Sequence, residues 1–428
     1  RSDRATTPAM AAIRRRRLLF ALVCNVADAE IKGINYGGRF IPEHWLGLPH
    51  MRELYKGATP GGDCSPKPCK LSLCDVAAST DGAAGQRMIQ YLNRSIQLEH
   101  FETMKRMGFN YVRLPLGYWN VVQPTEAPDA PNSTASRWRA LELMATPSEY
   151  APYIARVLRF ANSTGLQVLL DLHGAPGGQT VNQDTGCATA CEGDGCGKTS
   201  HYFNRPRNVA TAVTAVTRLA QLCVAAGPTC YGIELLNEPA PYLVGEGASD
   251  RAALLHYYQF AIAAARGAGG LDAAVPIVLM DWPQFLASYW LRNARALAAL
   301  PGAGTLVWES HIYAGVTTST LLELKAITLP LFELLRGFAA ATGAKVMLGE
   351  WTLARLGSRA GLDAAAARYY YEETSAFLGR CVWNFDGPGA WGAVQPNNAS
   401  EHEFWPAVNR NEVELEEAAL VESGHRVS

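Results

Sequence analysis

Eight short apolar runs recur along this chain, and most are separated by longer segments with helical periodicity. That alternation restricts the fold more than any single motif. The runs are 32–36 (KGINY), 109–115 (FNYVRLP), 166–173 (LQVLLDLH), 230–237 (CYGIELLN), 275–281 (VPIVLMD), 304–311 (GTLVWESH), 344–350 (AKVMLGE) and 380–385 (RCVWNF). The helical stretches are 98–107, 148–163, 206–226, 250–267, 284–299, 319–342 and 362–377. Strands that alternate with helices belong in a parallel sheet, because a parallel neighbour is reached only by a crossover. Eight of them close most economically into an α/β fold of the (β/α)8 TIM barrel type. The chain has 428 residues and 48% hydrophobic content, enough for one barrel-sized core. No repeat or linker divides it, so a single domain over 30–408 is expected, followed by a charged tail at 409–428. The long stretches 46–91 and 174–204 both follow strands, which places them on the face where barrels carry their active sites.

The first 29 residues read as a leader with some upstream sequence. Arginines at 14–17 precede the apolar run LLFALVCNVA, and Ala27-Asp28-Ala29 has the small-x-small form of a cleavage site. Met10 is the natural start, and the run is too short to span a bilayer, so no membrane span is expected in the mature protein. Beyond Cys24 there are nine cysteines: Cys64, Cys69, Cys74, Cys187, Cys191, Cys196, Cys223, Cys230 and Cys381. Six fall in two loop clusters, 64–74 and 187–196. An exported chain favours disulfide staples there over zinc, and pairing within each cluster is expected, with one thiol left free. Asn93, Asn132, Asn162 and Asn398 begin N-x-Ser/Thr sequons, which have meaning on a secretory route. The net charge of -1 supplies no field for nucleic acid. A neutral substrate and a secreted monomer, extracellular or in a cell wall, fit this balance.

The strand ends carry the chemistry. In chain order they present Asn35, Arg113, His173, Asn237 with Glu238, Asp281 with Trp282, His311 with Tyr313, Glu350 with Trp351, and Trp383. A lone glutamate before a proline, as in Asn237-Glu238-Pro239, is ordinarily a turn or a cap. Polar groups at nearly every strand end of one barrel face are not explained by capping. Glu238 closes the fourth strand and Glu350 the seventh, so the two carboxylates can converge from opposite sides of the mouth. Such a pair, among aromatic faces, is what glycoside hydrolysis requires: one proton donor and one nucleophile or stabiliser. A metal site of His173, His311 and a carboxylate is a rival, but no His-x-x-x-His spacing supports it. Neither a metal nor a cofactor is expected.

These residues resemble glycoside hydrolase family 5, and within it the exo-β-1,3-glucanase branch. The similarity is carried by GINYGGRFIPEHW (33–45), FNYVRLPLGYW (109–119), LLDLHGAPGGQ (169–179), IELLNEP (233–239), HIY (311–313), LGEW (348–351) and VWNF (382–385). The resemblance implies a retaining β-glucosidase-type enzyme acting on a β-glucan or β-glucoside. It implies Glu238 as general acid/base and Glu350 as nucleophile. It further implies Arg113, His173, Asn237, His311 and Tyr313 as groups that orient these two and bind the sugar. Glu43 matches a glucose-binding carboxylate, and Trp383 a sugar-stacking indole. The chain departs from the branch at three places. It has Arg39 where the family has tryptophan, no aromatic at Asn182 before the insertion CATACEGDGC (187–196), and FDGP (385–388) where the family has WKTE. Other family 5 specificities (endo-β-1,4-glucanase, β-1,6-glucanase, β-mannosidase, glycolipid glucosidase) remain as alternatives. So does a secreted glycan-binding protein, although binding alone needs neither carboxylate.

Overall fold

The structure is a computed structural model that describes residues 30–61, 70–180, 183–187, 203–239, 247–280, 287–313, 318, 320–352, 360–387 and 393. The expected leader, the tail, Cys24, Cys64, Cys69, Cys191, Cys196, Asn182, Asp281, Trp282 and Asn398 lie outside these residues. Strands β1 (Ile31–Asn35), β2 (Tyr111–Gly117), β3 (Gln167–Gly174), β4 (Cys230–Glu234), β5 (Ile277–Met280), β6 (Leu306–Ile312), β7 (Lys345–Trp351) and β8 (Gly379–Val382) form a closed barrel in chain order. Each pairs in parallel with the next, and β8 returns to β1 through Ile31–Gly379 and Ile34–Val382. The helices that cover it are α1 (Leu98–Arg106), α2 (Pro147–Thr164), α3 (Pro206–Ala226), α4 (Gly247–Arg266), α5 (Ala287–Ala298), α6 (Leu321–Thr342) and α7 (Ala360–Glu373).

Local chemistry sets several of these boundaries. Thr146 and Glu149 form a capping box at the start of α2, Pro147 takes its first turn, and Gly165 ends it at φ 68°. Strand β4 is shorter than the apolar run suggests. After Glu234 the chain bends at Leu235 and Asn237 but keeps single bonds to the same two neighbours: the Leu235 N–H donates to Val278 O of β5 and the Asn237 N–H to Leu172 O of β3. Helices Ala84–Ser95 and Asn132–Met144 were not expected from the sequence. The first packs Met88, Tyr91 and Leu92 inward at helical spacing. Within α3 and the turn after it, 206–229 is long and apolar enough to cross a membrane; here it covers β3 and β4 as a barrel helix.

The barrel interior is layered by the two-residue period of its strands. The lowest layer is apolar: Ile31, Tyr111, Leu169, Val278, Val307, Met347 and Cys381. Two residues further along the strands the interior turns ionic, with Arg113, Asp171 and Glu309, and Glu234 from β4, all fully buried. Above them stand Asn35, His173, His311 and Trp383. Outward residues such as Val112, Leu170, Ile233, Leu279, Trp308 and Leu348 form the second core under the helices. Gly349 makes room for the ionic layer, since a Cβ there would lie 2.4 Å from Glu309 Oε2.

The cysteine pairing corrects the expectation of bonds within each cluster. Cys74 pairs with Cys187 across 113 residues, joining the two loops instead of closing either. The Cys74 N–H donates to Gly186 O at 3.0 Å, so the loops already lie side by side. Cys223 pairs with Cys230, and Cys381 is free and buried. A cross-link removes more chain entropy when it spans more residues. On that scale deleting the Cys74–Cys187 pair by double serine substitution costs about 5 kcal/mol, against about 2 kcal/mol for the Cys223–Cys230 pair. Urea unfolding of the two double variants should rank them in that order.

Candidate active site

Arg113 on β2 is the centre from which the site is built. Its Nε and Nη2 donate to Glu234 Oε2 and Oε1, both at 2.7 Å, a planar two-bond fork. Nη1 donates to Glu350 Oε1 at 2.7 Å and to Asn35 Oδ1 at 3.1 Å. Nη2 also donates to Asn237 Oδ1 at 2.8 Å and lies 3.1 Å from Asp171 Oδ2 and 3.6 Å from Glu309 Oε1. A guanidinium so surrounded keeps its charge although it is fully buried.

The two strand-end glutamates converge as their positions require. One oxygen of each, and His311 Nδ1, lie within 4.8 Å of one another. His311 Nδ1 is 2.7 Å from Glu238 Oε1 and 3.3 Å from Glu350 Oε2. The Tyr313 hydroxyl donates to Glu350 Oε2. The carboxylates therefore sit in unlike surroundings: Glu350 is held by the guanidinium and the phenol, whereas among the described residues no such cation touches Glu238. Burial, and next the charge of Glu350, push Glu238 well above the usual carboxylate range. Its backbone is also held at φ 39°, in the left-handed region, immediately before Pro239. The spacing of these three groups would admit a cation, but Glu350 is already engaged by Arg113 and Tyr313. The guanidinium charge opposes a second positive charge there.

The remaining residues singled out in the sequence also gather here. His173 Nδ1 meets Asp171 Oδ2 at 2.7 Å; burial opposes a charge on the ring, but Asp171 outweighs it and the imidazole rises to about 9. Trp383 stacks on His173 with rings 6° from parallel and 5.9 Å apart. Gly37 gives that indole its space, since a Cβ would lie 2.6 Å from the ring. Glu43 is buried, accepts from Trp45 Nε1 at 2.8 Å and feels the charges of Asp184 and His173. Burial and then Asp184 raise it to about 8, so it is a neutral acid near pH 7. Trp351 does not join the site; it is fully buried and stacks on Tyr370 at 4.5 Å.

Four acids at the site were missed: Asp171, Asp184, Glu234 and Glu309. A signal existed for two of them. Asp-x-His at 171–173 and Glu-x-His at 309–311 place an acid and an imidazole on the same face of a strand. Two of the departures from the exo-glucanase pattern prove to be partners. Arg39 donates to both oxygens of Asp386, at 2.6 and 2.8 Å, and Arg39 lies over the Tyr36 ring at 4.3 Å.

A profile of Cellulase (glycosyl hydrolase family 5) matches residues 77–387. The chain belongs to glycosyl hydrolase family 5. It is 25% identical over 292 residues to a glucan 1,3-beta-glucosidase of Blumeria graminis, covering 67% of this chain and 56% of that protein. It is 26% identical over 224 residues to the sporulation-specific glucan 1,3-beta-glucosidase of Saccharomyces cerevisiae, covering 52% and 44%. The chain thus spans about half the length of these curated relatives. The family 5 barrel is also similar in fold to the rutinosidase from Aspergillus niger, with TM-score 0.63 and 15% identity over 85% of this chain and 91% of that one.

Replacing Arg113 by glutamine leaves the surrounding buried acids without their cation, at an expected cost of about 3–5 kcal/mol. The folded variant favours their neutral forms and so binds more protons than the unfolded chain, which makes stability fall as pH rises. Urea midpoints should therefore separate wild type and R113Q more widely at pH 8 than at pH 5.

Proposed function

We propose that this protein is a secreted, retaining β-glucosidase-type hydrolase that releases glucose from β-1,3-glucan. The observation that carries the reading is the pair Glu238 and Glu350, close together but electrostatically unlike. Oxygens within 4.8 Å suit the retaining separation of about 5–5.5 Å and fall short of the roughly 6.5–9.5 Å that admits a water between the groups. In the first step Glu238 donates its proton to the glycosidic oxygen while Glu350 Oε attacks the anomeric carbon, and the leaving alcohol departs. Glu350 loses its negative charge in the covalent ester, so Glu238 can then stay ionised and take a proton from water. That water attacks the same carbon, Glu350 leaves, and the β configuration is restored.

The other groups fit a sugar in this mouth. Trp383 supplies an apolar platform, and neutral Glu43, protonated His173 and Asn237 offer hydrogen bonds to hydroxyls. The named activity of the fungal relatives supports the β-1,3-glucan choice. The disulfides Cys74–Cys187 and Cys223–Cys230 support an oxidising, secretory location. A different β-glucoside is the second reading, favoured by the Arg39–Asp386 pair and by the missing aromatic at Asn182.

Glucose release from laminarin, with cello-oligomers as the contrast, tests the substrate; equal inertness to both would overturn it. Glu350→Gln should lower turnover of any glucoside by several orders of magnitude, since no ester can form. Glu238→Gln should spare the first step for an aryl glucoside with a good leaving group, and azide should restore its turnover with a β-glycosyl azide as product. Azide rescue of Glu350→Gln instead, with Glu238→Gln inert to every leaving group, would reverse the two roles.

A further inference from the structure

Glu309 is a fully buried carboxyl group that the mechanism above does not use. It faces charged groups from several strands: Arg113 of β2, Asp171 of β3, Glu234 of β4, Glu350 at the end of β7, and His311 of its own strand. The Cys381 thiol and the Tyr111 ring close the layer below. Two cations, Arg113 and protonated His173, stand against four carboxyl groups in this layer. Ionisation of all four would leave an uncompensated double negative charge out of reach of water, which is costly. The donors show where a proton belongs. Asp171 is held by His173 and Arg113, Glu234 by two guanidinium N–H groups, and Glu350 by Arg113 and Tyr313. Neither oxygen of Glu309 meets an N–H or hydroxyl donor at hydrogen-bond distance among the described residues; its hydrogen-bonding neighbour is the Glu234 carboxyl group, whose two oxygens already accept from the guanidinium, so the proton these two acids share belongs to Glu309.

What Glu309 does meet is the far side of His311, the imidazole beside Glu238. Its Oε1 lies 3.5 Å from His311 Nε2, while His311 Nδ1 faces Glu238 Oε1 at 2.7 Å. Burial holds this imidazole neutral, lowering it to about 3, so the ring carries one proton. An ionised Glu309 would draw that proton to Nε2. Nδ1 would then present a lone pair to Glu238 and pull the catalytic proton onto Oε1. We propose that Glu309 is a positioning residue: an uncharged carboxylic acid whose O–H faces His311 Nε2, keeps the ring proton on Nδ1, and so confines the proton of Glu238 to Oε2. Burial, which favours the neutral acid, agrees with this role. The role rests on the reading of Glu238 as the general acid.

The test has a spectroscopic and a kinetic part. Nitrogen-15 NMR of histidine-labelled wild-type protein, with His311 assigned by the signal lost in His311→Gln, should find the proton on Nδ1 at neutral pH. A proton on Nε2 would show Glu309 ionised and overturn the proposal. Glu309→Gln retains an N–H donor and should keep the Nδ1 tautomer and most of the turnover. Glu309→Leu has no donor and should mix the tautomers and lose about 10–100-fold in kcat on alkyl glucosides, the usual scale for a group that orients another. Aryl glucosides with good leaving groups should be nearly spared. Equal losses in both variants for both leaving groups would reduce Glu309 to a packing role and also overturn it. A wild-type protein inactive on every glucoside would sink the proposed function, whereas the tautomer measurement would still decide the place of the proton.

Discussion

One buried guanidinium organises this protein. Arg113 lies at the height where the barrel interior changes from apolar to ionic, and its planar set of donors reaches groups from β1, β3, β4, β6 and β7. A lysine could not replace it, because a single ammonium has neither the fork that grips Glu234 nor the second edge that meets Glu350. The ion pairs are not stabilisers in the usual sense, since burying their charged groups costs more than most such contacts return. What they secure is geometry: the orientation of Glu350 and of Asn237 follows from which guanidinium edge each can reach.

The division of labour between the two strand-end glutamates follows from that placement. Glu350 receives donors from Arg113 and Tyr313, while Glu238 receives a neutral imidazole and feels its neighbour's negative charge. Burial and that charge push Glu238 towards its protonated form, which suits an acid standing beside a nucleophile. Neutral His311 joins the pair, and His173 stays charged through Asp171. An acid inside the barrel thus sets the charge of one imidazole at its mouth, and burial that of the other.

The loops around the mouth are fastened by different chemistry. The Cys74–Cys187 bond ties the segment after β1 to the segment after β3, so two loops distant in sequence move together. Arg39 and Asp386 join the loop after β1 to the chain after β8, and Gly37 between them receives the Trp383 indole. The departures from the exo-glucanase pattern at these two positions are therefore one change rather than two. A half-buried ion pair stands where the family has other side chains.

Much of this is legible in the sequence. The alternation of apolar runs with helical segments is a local property, and parallel strands leave a barrel as the compact solution, so the fold could be read from the chain. Eight of the nine site residues stood in or just after the apolar runs, where polar groups are conspicuous, and Glu43, in the loop after β1, came from the resemblance alone. The acids two residues deeper were not, because a glutamate inside a strand reads as a solvent-facing residue unless the opposite face is known to be covered. Cysteine pairing was misjudged for a related reason: spacing reports proximity along the chain, and Cys74 meets Cys187 only because two crossover connections bring their loops together. Residue types and their period were determined locally. Which groups share a proton, which cation meets which acid, and which loops touch were decided by closure of the barrel, because those energies depend on distances that no stretch of sequence contains.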